Sequence, residues 1–423
     1  MSQRRYRVLA VVGPGILVAA TGVGAGDLAT GAFSGSRLGL AVLWAVVVGA
    51  GMKFLLNEGL ARWQLATGTT LLEGCAVHFG RVVQWGFLAY LLFWSYFVGA
   101  ALMSACGVTA HALYPLAGPV QDKICYGLVH SVVAVLMVRL GGYRLFQRVM
   151  GLCIALMFVV VVATAVALHP PWEELLAGLF QPQDTPLEGE GLAWTVALMG
   201  GVGGTVTILC YGYWIREEGR RGPEQLAVCR LDLAAGYAMT AVFGLAMVVI
   251  GSTVAIGGEK GSATIMVDLA ERLRGTLGPA ARWAFLVGAW GAVFSSLLGV
   301  WQSVPYLFAD SWRLIRKPRS DAAGAEPDPV GTRSPVYQGY LFALASVPTV
   351  GLWARFDQVQ KVYAVVGALF IPILALALLI LNGSSRRVGR QYRNSWLVSL
   401  LLLAALALFA LFLWFKIRSE LLA

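Results

Sequence analysis

Residues 22 to 31, GVGAGDLATG, set four glycines and one aspartate inside an apolar run near the start of the chain. A glycine in a helix interior costs about 1 kcal/mol relative to alanine. A charge at bilayer depth costs roughly 2.5–3.5 kcal/mol on insertion scales. A second glycine cluster, LMGGVGGTVTILCYG over 198–212, breaks another apolar run at Gly200, Gly201, Gly203, Gly204 and Thr205. Unwound backbone at membrane depth is tolerated where it is buried in protein or lines a cavity. Its freed N–H and C=O groups are then binding groups. Half-helix N-termini favour negative charge, and glycine lets a ligand approach the backbone closely. Gly24, Ala25 and Gly26 of the first break, with Gly203 and Gly204 of the second, therefore predict a donor-rich pocket. The hydroxyls of Thr205, Thr207 and Thr30 add to it. Such a pocket suits a small oxyanion, bicarbonate first. The plain alternative is helix packing through small residues.

Asp27 is the awkward residue, because beside an anion it repels. It fits three other roles: an N-cap of the half-helix that follows, a protonation or Na⁺ site coupled to transport, or the carboxylate of a Mg²⁺ site, an ion that needs few carboxylates and keeps its water. Lys53 lies in the second apolar run, with Asn57 and Glu58 one turn later. An intramembrane lysine is a functional candidate by default. It raises the local potential for an anion, or else snorkels or pairs with Glu58, which is itself a candidate coupling residue. His111 and His130 titrate near neutral pH when unperturbed, or are packing residues. Ser295, Ser296 and Gln302 line a path or bond between helices.

The elements that must position these residues are membrane spans. The 423-residue chain is 58% hydrophobic and 13% charged, against about 25% charged in an average soluble domain. A span needs about 20 apolar residues. Eleven candidates follow: 9–36, 39–61, 84–113, 122–139, 144–168, 191–214, 231–256, 281–308, 336–354, 358–382 and 395–416. The start, MSQRRYRVLA, has no cleavage site after its apolar stretch, so the first helix is expected to stay. With the N-terminus in the cytoplasm, the arginine-rich loops fall inside and the acidic 170–190 loop outside, as the positive-inside rule requires. The net charge of +10 is thus a topology signal rather than a nucleic-acid one. Within the outer 257–280 loop, ATIMVDLAERLRGTL has the spacing of an amphipathic helix. The six cysteines (75, 106, 125, 153, 210, 229) contain no C-x-x-C and read as packing residues. H-E-x-x-H, G-x-S-x-G, Walker A and G-x-G-x-x-G patterns are absent, which argues against an ATP-driven pump or an intramembrane metalloprotease; neither an enzyme activity nor a cofactor is expected.

The two breaks fall in spans one and six. A five-helix repeat with an odd number of crossings must be inverted in the membrane. Glycine-interrupted segments at matching positions of two halves point to the binding site of a secondary transporter. The expected organisation is a first repeat over 1–168, an outer loop at 169–190, a second repeat over 191–382 with a cytoplasmic linker at 309–335, and an eleventh helix in 383–423.

Span two, LLNEGLARWQLATGTTLLEG, and span one, GPGILVAATGVGAGDLATG, resemble the Nramp family of proton-coupled divalent-metal transporters. The resemblance implies an all-α, LeuT-type fold of eleven helices with helices one and six broken. It also exposes departures. Where the family reads Asp-Pro-Gly-Asn, this chain has Gly24-Ala25-Gly26-Asp27. Where the family reads Met-Pro-His, it has Gly204, Thr205 and Val206. The span-three acid has no counterpart, and Tyr96 stands near its position as a hydroxyl donor. Transition metals favour imidazole and sulfur ligands, so carriage of Mn²⁺, Fe²⁺ or Cd²⁺ is not expected. The expectation is a secondary ion transporter of the inner membrane that works by alternating access. Bicarbonate is its favoured cargo, with H⁺ or Na⁺ as coupling ion and no resident metal. A divalent cation, Mg²⁺ first, is the alternative cargo, held by Asp27. An ion-sensing receptor is the further alternative.

Overall fold

In lipid a spanning segment must satisfy its own backbone polar groups, and the apolar runs accordingly fold as helices. A computed structural model describes residues 13–182, 185, 189–253, 265–316 and 331–421. The basic N-terminal stretch, most of the 320–334 linker and the first part of the 257–280 loop lie outside the described residues.

Helix α1 (Pro14–Gly22) passes through a π-helical stretch, Val23–Thr30, into α2 (Gly31–Leu38), and α3 (Leu43–Thr67) returns across the bundle. Then come α4 (Leu71–Leu113), α5 (Pro119–Ala167) and the short α6 (Trp172–Phe180). The interrupted pair α7 (Gly189–Gly201) and α8 (Tyr211–Glu217) is followed by α9 (Leu226–Ser252), α10 (Ile265–Leu277) and α11 (Pro279–Arg316). The chain closes with α12 (Pro335–Ser346), α13 (Phe356–Ala368), α14 (Phe370–Asn382), α15 (Ser385–Val388) and α16 (Trp396–Leu421). No strand occurs among the described residues.

Nine helices among the described residues are long and apolar enough to cross a membrane, against the eleven expected. One continuous helical stretch, Gly26–Thr67, merges the first two expected spans. The expected ninth span divides into α12 and a tight 3₁₀ stretch, Val347–Trp353, that begins at a proline-bearing turn. The linker expected from residue 309 starts later, because α11 continues to Arg316. The amphipathic helix expected in the 257–280 loop is α10, which buries Ile265, Met266, Leu269 and Leu273 and exposes Arg272 and Arg274.

Local chemistry explains the element ends. Gly68, at φ +69°, closes α3 in the left-handed conformation that favours glycine. Thr70 and Glu73 then form a reciprocal capping box at the start of α4. Both ends of the bundle carry ion pairs, buried or half-buried at one end and more exposed at the other. At one end Glu73 meets Arg216 at 3.2 Å and Arg313 at 2.7 Å, Glu58 meets Arg62 at 2.7 Å and Arg230 at 2.8 Å, and Asp232 meets Arg220 at 2.9 Å. At the other, Arg37 meets Glu190 at 2.7 Å and Arg355 meets Asp357 at 3.0 Å. Between them the core is apolar, with the indoles of Trp94, Trp194, Trp214 and Trp301 fully buried.

Candidate functional site

The two glycine clusters meet in the middle of this core. The first does not unwind. It widens from α- to π-helix over Val23–Thr30, a distortion often found at functional sites. The second does unwind: α7 stops at Gly201, Gly203 and Gly204 take φ of +70° and +88°, and a 3₁₀ turn, Val206–Cys210, restarts the helix. The glycines let the two distortions touch. A Cβ on Gly26 would fall 2.1 Å from the Gly201 carbonyl oxygen, and one on Gly24 would fall 2.6 Å from the Val293 Cα. Close backbone packing therefore accounts for these residues, where an open approach for a ligand was expected. Ala25 lies in the same π-helical stretch.

Most of the expected donors are already committed. The Gly24 N–H donates to Ser296 Oγ at 2.6 Å, the Gly203 N–H to Asp27 Oδ1 at 3.3 Å, and the Gly204 N–H to the Gly201 carbonyl at 3.2 Å. Thr30 Oγ accepts from Gln360 Nε2 at 2.8 Å. Open acceptors stand out instead. Asp27 is fully buried, and its Oδ2 has no hydrogen-bond partner. Asn57 Oδ1 and the Thr205 and Thr207 hydroxyls are likewise buried without partners.

Lys53 supplies the strongest feature. The last carbonyls of a helix lack intrahelical partners, and the left-handed turn at Gly203 and Gly204 faces those of the break toward α3. The fully buried Lys53 ammonium donates to the Gly200 and Val202 carbonyls at 2.7 Å each, and to that of Gly204. All three ammonium protons are thereby matched to carbonyls, at the end of α7 where the dipole favours a cation. Asp27 lies within Coulombic range of Lys53, with no direct ion pair between them among the described contacts. The arrangement is therefore a carbonyl ring holding a cation, with a carboxylate beside it.

Three residues around this centre have no counterpart in the predicted set or only a peripheral one. Tyr237 packs its ring against Gly203 and accepts from Asn57 Nδ2 at 2.6 Å. Tyr363 faces Thr205 and Asp27 from α13, and Thr205 packs against Gly367. Trp94 of α4 packs on Tyr363, with ring centroids 6.3 Å apart.

Other predicted residues lie elsewhere. Tyr96 is half-buried against Gly351, since α4 turns Trp94, not Tyr96, toward the centre. Glu58 is held by Arg62 and Arg230 and does not pair with Lys53. Ser295 bonds back to the Ala292 carbonyl, and Gln302 accepts from the Trp214 indole at 2.9 Å. His111 pairs with Asp122 at 2.7 Å, and His130 bonds Trp290 at 2.8 Å and the Tyr126 carbonyl at 2.6 Å. These are interhelical and packing roles. The cysteines are free thiols. No group of three or more His, Cys, Asp or Glu side chains that could hold a metal ion occurs among the described residues.

Residues 15–417 match the family model described as natural resistance-associated macrophage protein-like, Nramp. A "Divalent metal cation transporter MntH" of Xylella fastidiosa is 28% identical over 198 residues, which span 46% of this chain and 41% of that relative. An uncharacterized protein of Pasteurella multocida is 24% identical over 314 residues, covering 72% of this chain and 71% of its own. The matches thus span about two fifths of the length of the MntH relatives. Among solved structures, a variant of the Eremococcus coleocola manganese transporter superposes with TM-score 0.72 at 15% identity, covering 95% of this chain and 85% of that one. MhsT in complex with L-phenylalanine superposes with TM-score 0.64 at 14% identity, covering 96% and 98%. These likenesses are of fold, and they share the LeuT-type helical plan read from the two breaks. With a family model matched over nearly its whole length and a fold to agree, the chain belongs to the Nramp family of membrane transporters.

Proposed function

We propose that the protein is a secondary-active transporter of a small, hard divalent cation, Mg²⁺ first, that binds between the π-helical stretch of helix one and the break of helix six. One observation carries the reading: a fully buried carboxylate oxygen, Asp27 Oδ2, stands without a partner beside three inward-facing carbonyls. Carboxylate, carbonyl and water oxygens suit Mg²⁺, whereas imidazole and thioether ligands are absent from this centre. The named relatives, described as divalent metal cation transporters, support the same class of cargo.

The bicarbonate expectation has less to stand on. An anion site needs free donors, and the N–H groups of Gly24, Gly203 and Gly204 all bond within the protein. The Thr205 and Thr207 hydroxyls are the donors left over from the expected set. We further propose that the arginine-rich end of the bundle faces the cytoplasm, in keeping with the positive-inside rule.

Proteoliposomes carrying the purified protein test the reading. Expected is Mg²⁺ uptake, read by an enclosed indicator, that does not require bicarbonate. Bicarbonate-dependent alkalinisation of the vesicle interior without Mg²⁺ movement would overturn it and restore the anion carrier.

A further inference from the structure

We propose that Lys53 is a tethered occupant of the cargo site: its ammonium holds the carbonyl ring while the carrier is empty, and the arriving cation displaces it. This rests on the cation reading above.

Four observations carry it. First, the ammonium takes the place a cargo cation would take, bonded to the carbonyls of Gly200, Val202 and Gly204. Second, the Val202 and Gly204 carbonyls belong to the segment that unwinds and that of Gly200 to the last turn of α7, so the lysine holds the break in shape where the helix ends. Third, Asp27 and Lys53 together leave the empty centre without net charge, which suits a site closed off from water in a bilayer. A divalent cation entering beside a retained ammonium would leave three positive charges against one carboxylate. Such a surplus, taken out of water, is strongly unfavourable. Cargo and ammonium therefore exclude one another. Fourth, a landing place is at hand. Asn57 lies four residues along α3, on the same helix face, and its Oδ1 is a buried acceptor without a partner. A lysine stem is long and flexible enough to swing its ammonium from the ring toward that oxygen.

A built-in occupant has two consequences. It weakens cargo binding, because apparent affinity scales with the fraction of carriers whose site is free. It also stabilises the empty carrier, which must cross back through its closed form to complete net transport. An ordinary structural lysine, acting only as a cap on α7, has neither consequence. Removing a cap lowers stability and leaves cargo affinity unchanged or reduced.

The test compares full-length wild type with Lys53→Met, whose side chain is of similar length but uncharged. Mg²⁺ binding to the detergent-purified protein is read by intrinsic tryptophan fluorescence. Net uptake and Mg²⁺-for-Mg²⁺ exchange are read in proteoliposomes. The inference expects Lys53→Met to bind Mg²⁺ about tenfold or more tightly. It also expects exchange to persist while net uptake falls. Equal or weaker Mg²⁺ binding in Lys53→Met, with wild type binding normally, overturns the tethered occupant and leaves the cation transporter standing. A wild type that binds no divalent cation overturns both. Lys53→Gln, which keeps a donor toward the carbonyls, replaces the Met variant if that protein does not fold, and the same shift is expected. Failure of both neutral variants to fold assigns Lys53 to structure and overturns the inference.

Discussion

A Cβ placed on Gly22 would stand 1.9 Å from the Gly204 amide nitrogen, so the two distorted helices cross backbone against backbone. The obstacle is main chain, which has no rotamer to move out of the way. Gly22→Val is expected to be destabilised by about 1–3 kcal/mol or more through overpacking. Thermal unfolding in detergent checks this. An unchanged midpoint would show that the helices do not meet here.

Asp27 supplies the carboxylate of the proposed site. Asp27→Asn keeps the shape and removes the charge, so Mg²⁺ binding and uptake should be lost while the protein stays folded. An anion carrier would instead retain bicarbonate flux in this variant. Parallel assays of the two fluxes separate the cases.

Ligand softness sets a limit on selectivity. An oxygen-only site has little preference for Cd²⁺, so equimolar Cd²⁺ should leave Mg²⁺ uptake nearly intact. Mn²⁺ also accepts carboxylate and carbonyl oxygens, so its exclusion, expected from the missing thioether, does not follow from this geometry. Complete block by equimolar Cd²⁺ would indicate a softer ligand set.

Orientation is checked by labelling. Glu174 on α6 and Glu224 before α9 are both exposed, at opposite ends of the bundle. On a background without the native cysteines, an impermeant thiol reagent applied from outside the cell should modify a cysteine at position 174 and spare one at 224. The opposite pattern would invert the topology.

Glu58 serves stability. Its carboxylate bridges the nearly buried Arg62 and the half-exposed Arg230. Glu58→Gln removes the charge beside Arg62, whose guanidinium keeps its bonds to the Tyr392 carbonyl and Asn394 Oδ1, and is expected to cost about 1.5–3 kcal/mol, with the ion dependence of transport unchanged. A shift in coupling ratio without loss of stability would return Glu58 to the transport machinery.

Much of this was legible in the chain. The two glycine clusters five spans apart pointed to the LeuT-type plan and to the place where helices one and six meet. The positions of Asp27 and Lys53 within apolar runs marked both as candidates, and both lie fully buried at the centre. Other features depend on geometry that spacing does not carry. Periodicity along α3 puts Lys53 on a helix face, yet it cannot say that carbonyls about 150 positions away turn toward that face. That turn comes from the positive φ of Gly203 and Gly204. Glycine composition alone cannot distinguish a π-helical widening from an unwound turn, and so the first break was expected to offer free N–H groups that it does not have. Tyr96 and Tyr363 differ by the rotation of their helices about their own axes, which only packing fixes.

Glu73 holds two appointments at once. Its carboxylate accepts the Thr70 N–H at 2.8 Å, which caps α4, and it binds Arg216 beyond the break and Arg313 on α11. The same two oxygens thus fasten a helix start and a latch across the arginine-rich end. When those arginines part from it, the carboxylate loses the charges that anchor it over the first turn. On the transport reading proposed above, opening of that end is expected to raise deuterium uptake at the Thr70–Gly74 amides.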